Sequence, residues 1–276
     1  MTHPTCRTAA ARDLPRLRTL WQLCFGDDAE DIDRLLSLLY APGRGLVLEA
    51  EGQAESMLLS LPMTLVGQSG ETRPVRYVYA FCTHPAAQGR GYGRALLAWA
   101  EQRAAAKGCA AVVMVPGEAS LFDFYEGLGY QRDFPRRTLA GTAAALPGAA
   151  ATAVTPEEYG ALRETLLTGT AHFRYPADIL QAQQWLSRSS GGGLYTVTAG
   201  DSLWLAAAEG GEGDTLLLRE LLGPAEAAPA AASALGEALG RGRWLLHTPG
   251  QGAPYGVVKW LGEERTEGCW LGLSLE

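Results

Sequence analysis

The stretch from residue 75 to residue 108 constrains the fold of this chain more than any other. Residues 75–81 are apolar or aromatic except for Arg76, which predicts a strand. Pro85 ends this strand, because proline has no N–H group for the ladder. The residues from 94 to 107 are mostly strong helix formers, and a glycine follows them as a helix stop. Between strand and helix lie three glycines in five residues, which predict a turn free of side chains: Gly89, Gly91 and Gly93.

A strand, a glycine turn and a helix in this order predict a phosphate site. Free backbone N–H groups and the positive end of a helix dipole converge at the turn. A P-loop needs Gly-Lys-Ser/Thr, and the sequence contains no such triplet. A Rossmann turn needs Gly-x-Gly-x-x-Gly, whereas Gly89, Gly91 and Gly93 are spaced differently. The pattern present is Gln88-x-x-Gly91-x-Gly93.

This pattern resembles the pyrophosphate loop of the GNAT acyltransferase superfamily, Gln/Arg-x-x-Gly-x-Gly/Ala. Val112–Val115 then reads as a second buried strand. The segment Phe124-Tyr125-Glu126-Gly127-Leu128-Gly129-Tyr130 is similar to the Phe-Tyr-x-x-Leu-Gly-Phe/Tyr element of the same superfamily, at the expected distance. Two independent motifs in order and in register make the resemblance specific, and it covers about residues 5 to 140.

The resemblance implies an α/β class with a mixed sheet, the GNAT acyl-CoA N-acyltransferase fold. The predicted elements follow the GNAT order: two helices, three strands, the glycine loop, a helix, a strand and a helix. Helical periodicity predicts the first helix over 8–25 and the second from Asp27 to Tyr40. In the Phe-Tyr element, four apolar residues have helical spacing and are predicted to be core: Leu121, Phe122, Phe124 and Leu128.

The resemblance also assigns roles to residues. Loop amides would hold the pyrophosphate of acetyl-CoA, and the strand before the loop would pair with the pantetheine like an added strand. An N–H of Phe81 or Cys82 would face the thioester carbonyl. Tyr125 occupies the general-acid position, where a phenol with a reference pKa of about 10 returns a proton to the thiolate. The structural alternative for Tyr125 is a core tyrosine. The acetyl-CoA-binding residues implied are Phe81, Cys82, Thr83, Gln88, Gly89, Arg90, Gly91, Tyr92, Gly93 and Arg94.

The sequence leaves the general base open. Glu49, Glu55 and the acidic cluster that starts at Asp27 are candidates, as is a chain of water molecules. Acidic residues in a first helical turn also favour the helix dipole, which is the simpler explanation for the cluster at Asp27. Glu118 stands where many GNAT proteins have asparagine, so no cofactor contact is assigned to it.

The composition changes in the middle of the chain. Residues 140–153 carry no charge and no period, so we predict a first domain over 1–140, a linker over 141–153 and a second domain over 154–276. Thr155, Pro156 and Glu158 form a capping-box helix start.

The second half repeats the first in outline: helices, hairpin, strand, helix and strand. Leu222-Gly223-Pro224 leads directly into a helix without a Gln-x-x-Gly-x-Gly loop. The resemblance therefore implies a tandem GNAT layout, with a degenerate GNAT-like α/β domain that binds no cofactor at the C-terminal end. Residues 256–261 and 269–275 are predicted to pair as the last two strands.

Charge and cysteine content exclude other classes. The net charge of -7 argues against binding to nucleic acid or to an anionic membrane. Five cysteines without a Cys-x-x-Cys motif indicate neither a disulfide framework nor a zinc site, so no metal is expected. The N-terminus lacks the apolar core of a signal peptide, and no apolar run of eighteen residues occurs, so we expect a cytoplasmic protein.

The function implied is N-acetyl transfer from acetyl-CoA, as co-substrate, to a primary amine by direct attack in a ternary complex. The alternative is a non-catalytic acyl-CoA-binding or regulatory module, which would hold acetyl-CoA without passing the acetyl group on. A nucleotide-binding protein would need the lysine that the loop lacks. The expected partner is a small-molecule or peptide amine, and a homodimer is allowed.

Overall fold

The computed structural model describes residues 3–275, and they form two compact units. The first unit contains the chain up to Thr64, together with Arg73–Gln131 and Val258–Arg265. The second contains Leu65–Thr72, Arg132–Val257 and the chain from Thr266 on.

The first unit is a mixed sheet with helices. Its elements are β1 (Thr5–Thr8), α1 (Leu14–Phe25), α2 (Ala29–Leu39), β2 (Gly45–Ala50), β3 (Gln53–Val66), β4 (Thr72–Thr83), α3 (Tyr92–Ala106), β5 (Ala111–Met114) and α4 (Leu121–Glu126). The last two residues of β3 and the first residue of β4 belong to the second unit. The strands follow the spatial order β1-β2-β3-β4-β5. The β1–β2 and β2–β3 pairs are antiparallel and the β4–β5 pair is parallel, which confirms the α/β class with a mixed sheet.

The core of this unit explains where its helices lie. Helix α1 buries Leu17, Leu20 and Trp21, which recur at helical spacing on one side. Helix α3 buries Leu96, Leu97, Ala100 and Ala104 in the same way. The small alanines let the helix lie close to the sheet, because they add little bulk at the contact. The sheet therefore fixes the direction in which α3 begins, at the glycine loop.

Two of these elements leave their regular geometry near the loop. Strand β4 pairs with β5 over three residues only, from Val75–Ala111 to Tyr77–Val113. Ala80 has a φ of 49°, a left-handed conformation that is rare outside glycine. Beyond Tyr77 the two parallel strands are not paired, so the last residues of β4 present backbone groups on the side where β5 would continue.

The second unit is also a mixed sheet with helices. Its elements are β6 (Gln131–Thr142), β7 (Ala149–Ala153), α5 (Pro156–Leu166), β8 (His172–Arg174), α6 (Ala177–Ser189), β9 (Gly193–Ala199), β10 (Ser202–Gly210), β11 (Thr215–Leu222), α7 (Ala228–Ala238), β12 (Arg243–Pro249) and β13 (Ala253–Trp260), the end of which belongs to the first unit. The spatial order of its sheet is β6-β12-β11-β10-β9-β7. The β11–β12 pair is parallel, and the other pairs along this path are antiparallel.

Helix capping and packing in the second unit agree with the expectations from the sequence. The capping box at α5 is confirmed: Thr155 N–H donates to Glu158 Oε2 at 2.8 Å, and Glu158 N–H donates to Thr155 Oγ1 at 3.2 Å. Helix α7 packs its alanines and Leu235 against Leu216 and Leu218 of β11. The predicted order of helices, hairpin, strand, helix and strand is confirmed.

Two details of the expected elements are wrong. Residues 8–25 are not one helix, because β1 ends at Thr8 and a short 3-10 turn at Ala11–Asp13 precedes α1. Residues 269–275 do not form a strand paired with 256–261. They are buried nonetheless, and Trp270 makes an isolated bridge to His172. Apart from these two details, residues 141–153, which stay a predicted linker, contain the end of β6 and all of β7.

Candidate active site

A cleft of about 1080 Å³ lies in the first unit, where the end of β4, the glycine loop, α4 and the end of α1 meet. All of the site residues predicted from the sequence line it, together with residues that the sequence did not indicate. The lining residues are Cys24, Phe25, Phe81, Cys82, Thr83, Ala87, Gln88, Gly89, Arg90, Gly91, Tyr92, Gly93, Arg94, Gly117, Glu118, Leu121, Phe124 and Tyr125. Segments far apart in sequence thus form one concave surface, as ligand sites usually do.

The end of β4 forms one wall of the cleft. Side chains on neighbouring strands hold it in place: Ser56 Oγ donates to the Cys82 carbonyl at 2.8 Å, and Thr83 Oγ1 donates to Ser56 Oγ at 3.0 Å. Phe81 and Thr83 are half-buried. Because β5 no longer pairs with β4 here, this wall offers a fixed strand edge to an extended ligand.

The glycine loop forms the floor. Gly89 and Gly91 have φ values of 76° and 78°, a left-handed conformation suited to glycine. A Cβ added to either would meet nothing within 4 Å, so their surroundings are open. Gly93 differs, since its Cβ would lie 3.0 Å from Thr83 Oγ1 and 3.3 Å from Phe81 Cζ. Gly89 and Gly91 are thus required by backbone conformation, and Gly93 by its close approach to β4.

The backbone N–H groups at the end of the loop are suited to binding an anion. The first N–H groups of α3, which begins at Tyr92, have no acceptor within the helix. Gln88 is different, because its N–H donates to the Pro85 carbonyl at 3.3 Å and its Nε2 to the Thr83 carbonyl at 3.3 Å. Gln88 therefore braces the loop against β4. The exposed guanidinium groups of Arg90 and Arg94 add positive charge beside the helix N-terminus.

Tyr125 faces the same cleft from α4. Its side chain is 7% exposed, and its ring contacts those of Phe124 and Tyr130 at centroid distances of 5.2 and 5.8 Å. Burial raises the pKa of the Tyr125 phenol to about 12. The phenol is therefore protonated at neutral pH and holds a proton that it can donate into the cleft.

The carboxylates named as candidate bases lie elsewhere in this unit. Glu49 accepts from Arg7 Nε at 2.7 Å, Glu55 pairs with Arg16 at 3.4 Å, and Asp27 accepts from the indole N–H of Trp21 at 2.7 Å. They do not line the cleft, whereas the exposed carboxylate of Glu118 does.

Seven lining residues were not among the predicted site residues: Cys24, Phe25, Ala87, Gly117, Glu118, Leu121 and Phe124. Cys24 and Phe25 lie at the end of α1, and only the fold brings them to β4. Phe124 was predicted to be core and is 42% exposed, because α4 is short and turns this side chain to the cleft. An aromatic residue next to Tyr125 was the available signal, but helical spacing favoured the interior.

Within residues 3–275, no cluster of His, Cys, Asp and Glu side chains is arranged to hold a metal ion. In the same part of the chain, no helix has both the length and the apolar character needed to cross a membrane.

Comparisons with known proteins relate this fold to acetyltransferases. Residues 5–132 match the acetyltransferase (GNAT) domain family. A GCN5-related N-acetyltransferase from Anabaena variabilis has a similar structure, with a TM-score of 0.75 and 14% identity, over 94% of this chain and 73% of that one. Eis1 from Mycobacterium abscessus matches with a TM-score of 0.67 and 17% identity, over 94% of this chain and 74% of that one.

A tandem GNAT protein from the clavulanic acid biosynthesis pathway matches over 95% of this chain and all of its own length, with a TM-score of 0.54 and 15% identity. No curated protein sequence matches the chain significantly. At these identities the structural likenesses establish the fold, and the family match establishes the domain. Residues 5–132 match the GNAT acetyltransferase domain family, and the chain as a whole shares the fold of a tandem GNAT protein.

Proposed function

We propose that the first unit transfers an acetyl group from acetyl-CoA to a primary amine by direct attack in a ternary complex. The observation that carries this proposal is the separation of β4 from β5 after Tyr77, directly beside the open glycine loop. An unpaired strand edge and an anion-binding turn in one cleft fit the two halves of acetyl-CoA, a pantetheine with amide groups and a pyrophosphate.

The residues present fit this ligand. Phe81, Cys82 and Thr83 supply backbone groups for the pantetheine amides, and the Ser56 hydroxyl keeps the Cys82 carbonyl fixed at 2.8 Å. The amides from Gly89 to Arg94 and the guanidinium groups of Arg90 and Arg94 supply donors for the pyrophosphate. Gln88 acts through its two hydrogen bonds to the Pro85 and Thr83 carbonyls, so its role is to hold the loop.

Acetyl-CoA supplies an activated carbonyl, and the chain supplies donors around it. The amine nitrogen attacks the carbonyl carbon and the carbon–sulfur bond breaks. An N–H of Phe81 or Cys82 stabilises the negative charge on the carbonyl oxygen. Tyr125 donates its phenolic proton to the leaving thiolate, which its raised pKa of about 12 permits because the phenol is still protonated at neutral pH.

The amine must lose a proton before or during attack. We assign this step to Glu118, because its carboxylate lines the cleft and is exposed, whereas Glu49 and Glu55 pair with arginines. An exposed carboxylate in the cleft lining also attracts a cationic amine.

The test is a panel of amines, from small molecules to peptide N-termini, in which release of free CoA is followed. The proposal predicts transfer to at least one amine and acetyl-CoA binding in its absence. Acetyl-CoA binding without transfer to any amine would instead identify a non-catalytic acyl-CoA-binding module. Absence of acetyl-CoA binding would overturn the proposal. The identity of the amine, a cytoplasmic location and a homodimer stay predictions.

A further inference from the structure

Two cysteines that the proposed mechanism does not use as thiols lie side by side in the cleft. Cys24 is the second-last residue of α1, and Cys82 is the second-last residue of β4. Each thiol lies against the backbone next to the other cysteine. Cys24 Sγ also contacts the Thr83 carbonyl at 3.4 Å, and Cys82 Sγ contacts the Leu20 carbonyl at 3.8 Å. Both residues line the cleft.

The two thiols have unequal surroundings. Cys24 is half-buried, whereas Cys82 is only 8% exposed. The neighbouring Cys82 thiol lowers the pKa of Cys24 to about 7, and the neighbouring Cys24 thiol together with burial raises the pKa of Cys82. Cys24 is thus the accessible nucleophile, and Cys82 is a protonated thiol held next to it. Reactive cysteines that are paired with a resolving thiol have this arrangement.

We propose that Cys24 and Cys82 form a disulfide when the protein meets a peroxide, and that this bond weakens acetyl-CoA binding. In the first step the Cys24 thiolate attacks a peroxide oxygen, which gives a sulfenic acid and releases an alcohol or water. In the second step the Cys82 sulfur attacks the Cys24 sulfur, a disulfide forms, and one water leaves. The peroxide is reduced, the two thiols are oxidised together, and a thiol reductant reverses the reaction.

The sulfur positions make the bond accessible to small movements. Cys24 Sγ lies beside Thr83, the neighbour of Cys82, and Cys82 Sγ lies beside Leu20, one helical turn before Cys24. The two sulfurs therefore have only a short way to move to an S–S distance of about 2 Å. This movement draws Cys24 Sγ away from the Thr83 carbonyl and pulls on β4 at Cys82. The second half of the inference rests on the proposed function, because Phe81–Thr83 is the segment assigned to the pantetheine. Disulfide formation itself does not depend on that assignment.

The experiment treats the full chain with a small excess of hydrogen peroxide. The products are alkylated, digested and mapped by mass spectrometry with and without reductant. A cross-linked pair of peptides that contain Cys24 and Cys82, lost on reduction, is the expected result. A Cys24→Ser variant should leave Cys82 reduced, and a Cys82→Ser variant should leave a sulfenic acid at Cys24 that dimedone traps. Cys6→Ser, which changes another half-buried cysteine, should still form the bond.

Acetyl-CoA binding is then measured by calorimetry on reduced and oxidised wild-type protein. We expect binding to weaken about tenfold or more on oxidation and to return on reduction, which corresponds to about 1.4 kcal/mol. Acetyl-CoA should also slow the oxidation of Cys24, because both occupy one cleft. Cys24 oxidised while Cys82 stays alkylatable overturns the disulfide, and unchanged affinity in the disulfide form overturns its effect. If the reduced protein binds no acetyl-CoA, the proposed function fails while the peptide map still decides the disulfide.

Discussion

The two units contain the same sequence of a strand, a helix and a parallel strand, but their strand ends differ. In the first unit this is β4, α3 and β5, and in the second it is β11, α7 and β12. Parallel pairing is short in both: β4 pairs with β5 over three residues, and β11 pairs with β12 over four. Beyond the paired residues, the strand end of the first unit faces the cleft, whereas side chains occupy the space at the strand end of the second unit.

Side chains close the second strand end. A Cβ added to Gly223, after β11, would lie 2.5 Å from Cδ1 of Trp204. The indole N–H of Trp204 donates to the Pro224 carbonyl at 3.1 Å. Thr248 Oγ1 donates to the Leu221 carbonyl at 2.9 Å, a carbonyl at the end of β11. Backbone groups that could meet a ligand are thus already used within the unit.

A buried charge completes the closure. Glu220 is fully buried on β11 and accepts from Arg163 Nε at 2.9 Å, from Arg163 Nη2 at 3.0 Å and from the Tyr159 hydroxyl at 2.6 Å. The indole N–H of Trp270 donates to the same carboxylate. The two units thus share one topology but differ at the end of the central strand. In the first unit this strand end is open to a ligand. In the second unit it is closed by a buried ion pair that holds the surrounding segments.

Tyr125→Phe should have the largest effect on the open side. It removes the hydroxyl and keeps the ring, so packing against Phe124 and Tyr130 survives. We expect kcat to fall about 10²- to 10⁴-fold with little change in acetyl-CoA affinity, the range for loss of a general acid. The measurement is steady-state kinetics with an amine for which the chemical step limits the rate.

Tyr130→Phe is the matched control for this change. Tyr130 is also buried, but its hydroxyl donates to Glu101 at 2.9 Å and it does not line the cleft. This variant should lose some stability and keep its kcat. A Tyr125→Phe enzyme with more than about half of the wild-type kcat would rule out the acid role. Because the pKa of Tyr125 is about 12, its ionisation should not reduce kcat between pH 7 and 10.

Arg163→Met should have the next largest effect, on the sealed side. It leaves the fully buried Glu220 carboxylate without its cation, which costs about 3–5 kcal/mol of the free energy of unfolding. Denaturant unfolding of the full chain measures this loss. Arg174→Met is the control, because Arg174 is exposed and pairs with Glu164, and an exposed pair contributes about 0–1 kcal/mol. Equal losses in the two variants would show that the buried pair does not seal the unit.

Gly91→Val should act on the open side through binding. A valine at Gly91 is strained by the φ of 78° and places its side chain at the loop amides, so acetyl-CoA affinity should fall by about 2–4 kcal/mol. Calorimetry measures the loss. Gly108→Val is the matched control, since Gly108 has a φ of 71°, an equally open environment and a place at the other end of α3. Both variants should lose stability, but only Gly91→Val should lose affinity. Unchanged affinity in a folded Gly91→Val protein contradicts the loop assignment.

The sequence predicted the local parts of this comparison well. Gln88, Gly91 and Gly93 have a spacing that indicates the loop directly, and the capping box at Thr155 indicates the start of α5. Both features are determined by residues that are close in sequence, because backbone conformation in turns and helix capping depend on neighbouring residues. The parallel strands were predictable for the same reason, as short apolar runs between a helix and a turn.

Contacts between distant residues were not predictable. Nothing in the sequence places Cys24 beside Cys82, because that contact depends on how α1 lies on the sheet. The left-handed Ala80 is also hidden, since alanine has no preference for that conformation and the surrounding structure imposes it. The burial of Glu220 is not evident from the sequence either, because its partner Arg163 lies 57 residues away.

The smallest effect is expected from the second unit, because it should contribute nothing to acetyl-CoA binding. Its strand end is occupied by Trp204, Thr248 and the Glu220 network, and α7 follows β11 without a glycine loop. Calorimetry of the full wild-type chain should therefore give one acetyl-CoA per chain, and Gly91→Val at the same concentrations should show no second, weaker site. Two outcomes would mean that the closed strand end still binds acetyl-CoA. One is a stoichiometry of two in the wild type. The other is a binding isotherm of Gly91→Val with the affinity of a second site seen in the wild type. In that case the difference between the two units would lie in affinity and not in the presence of a site.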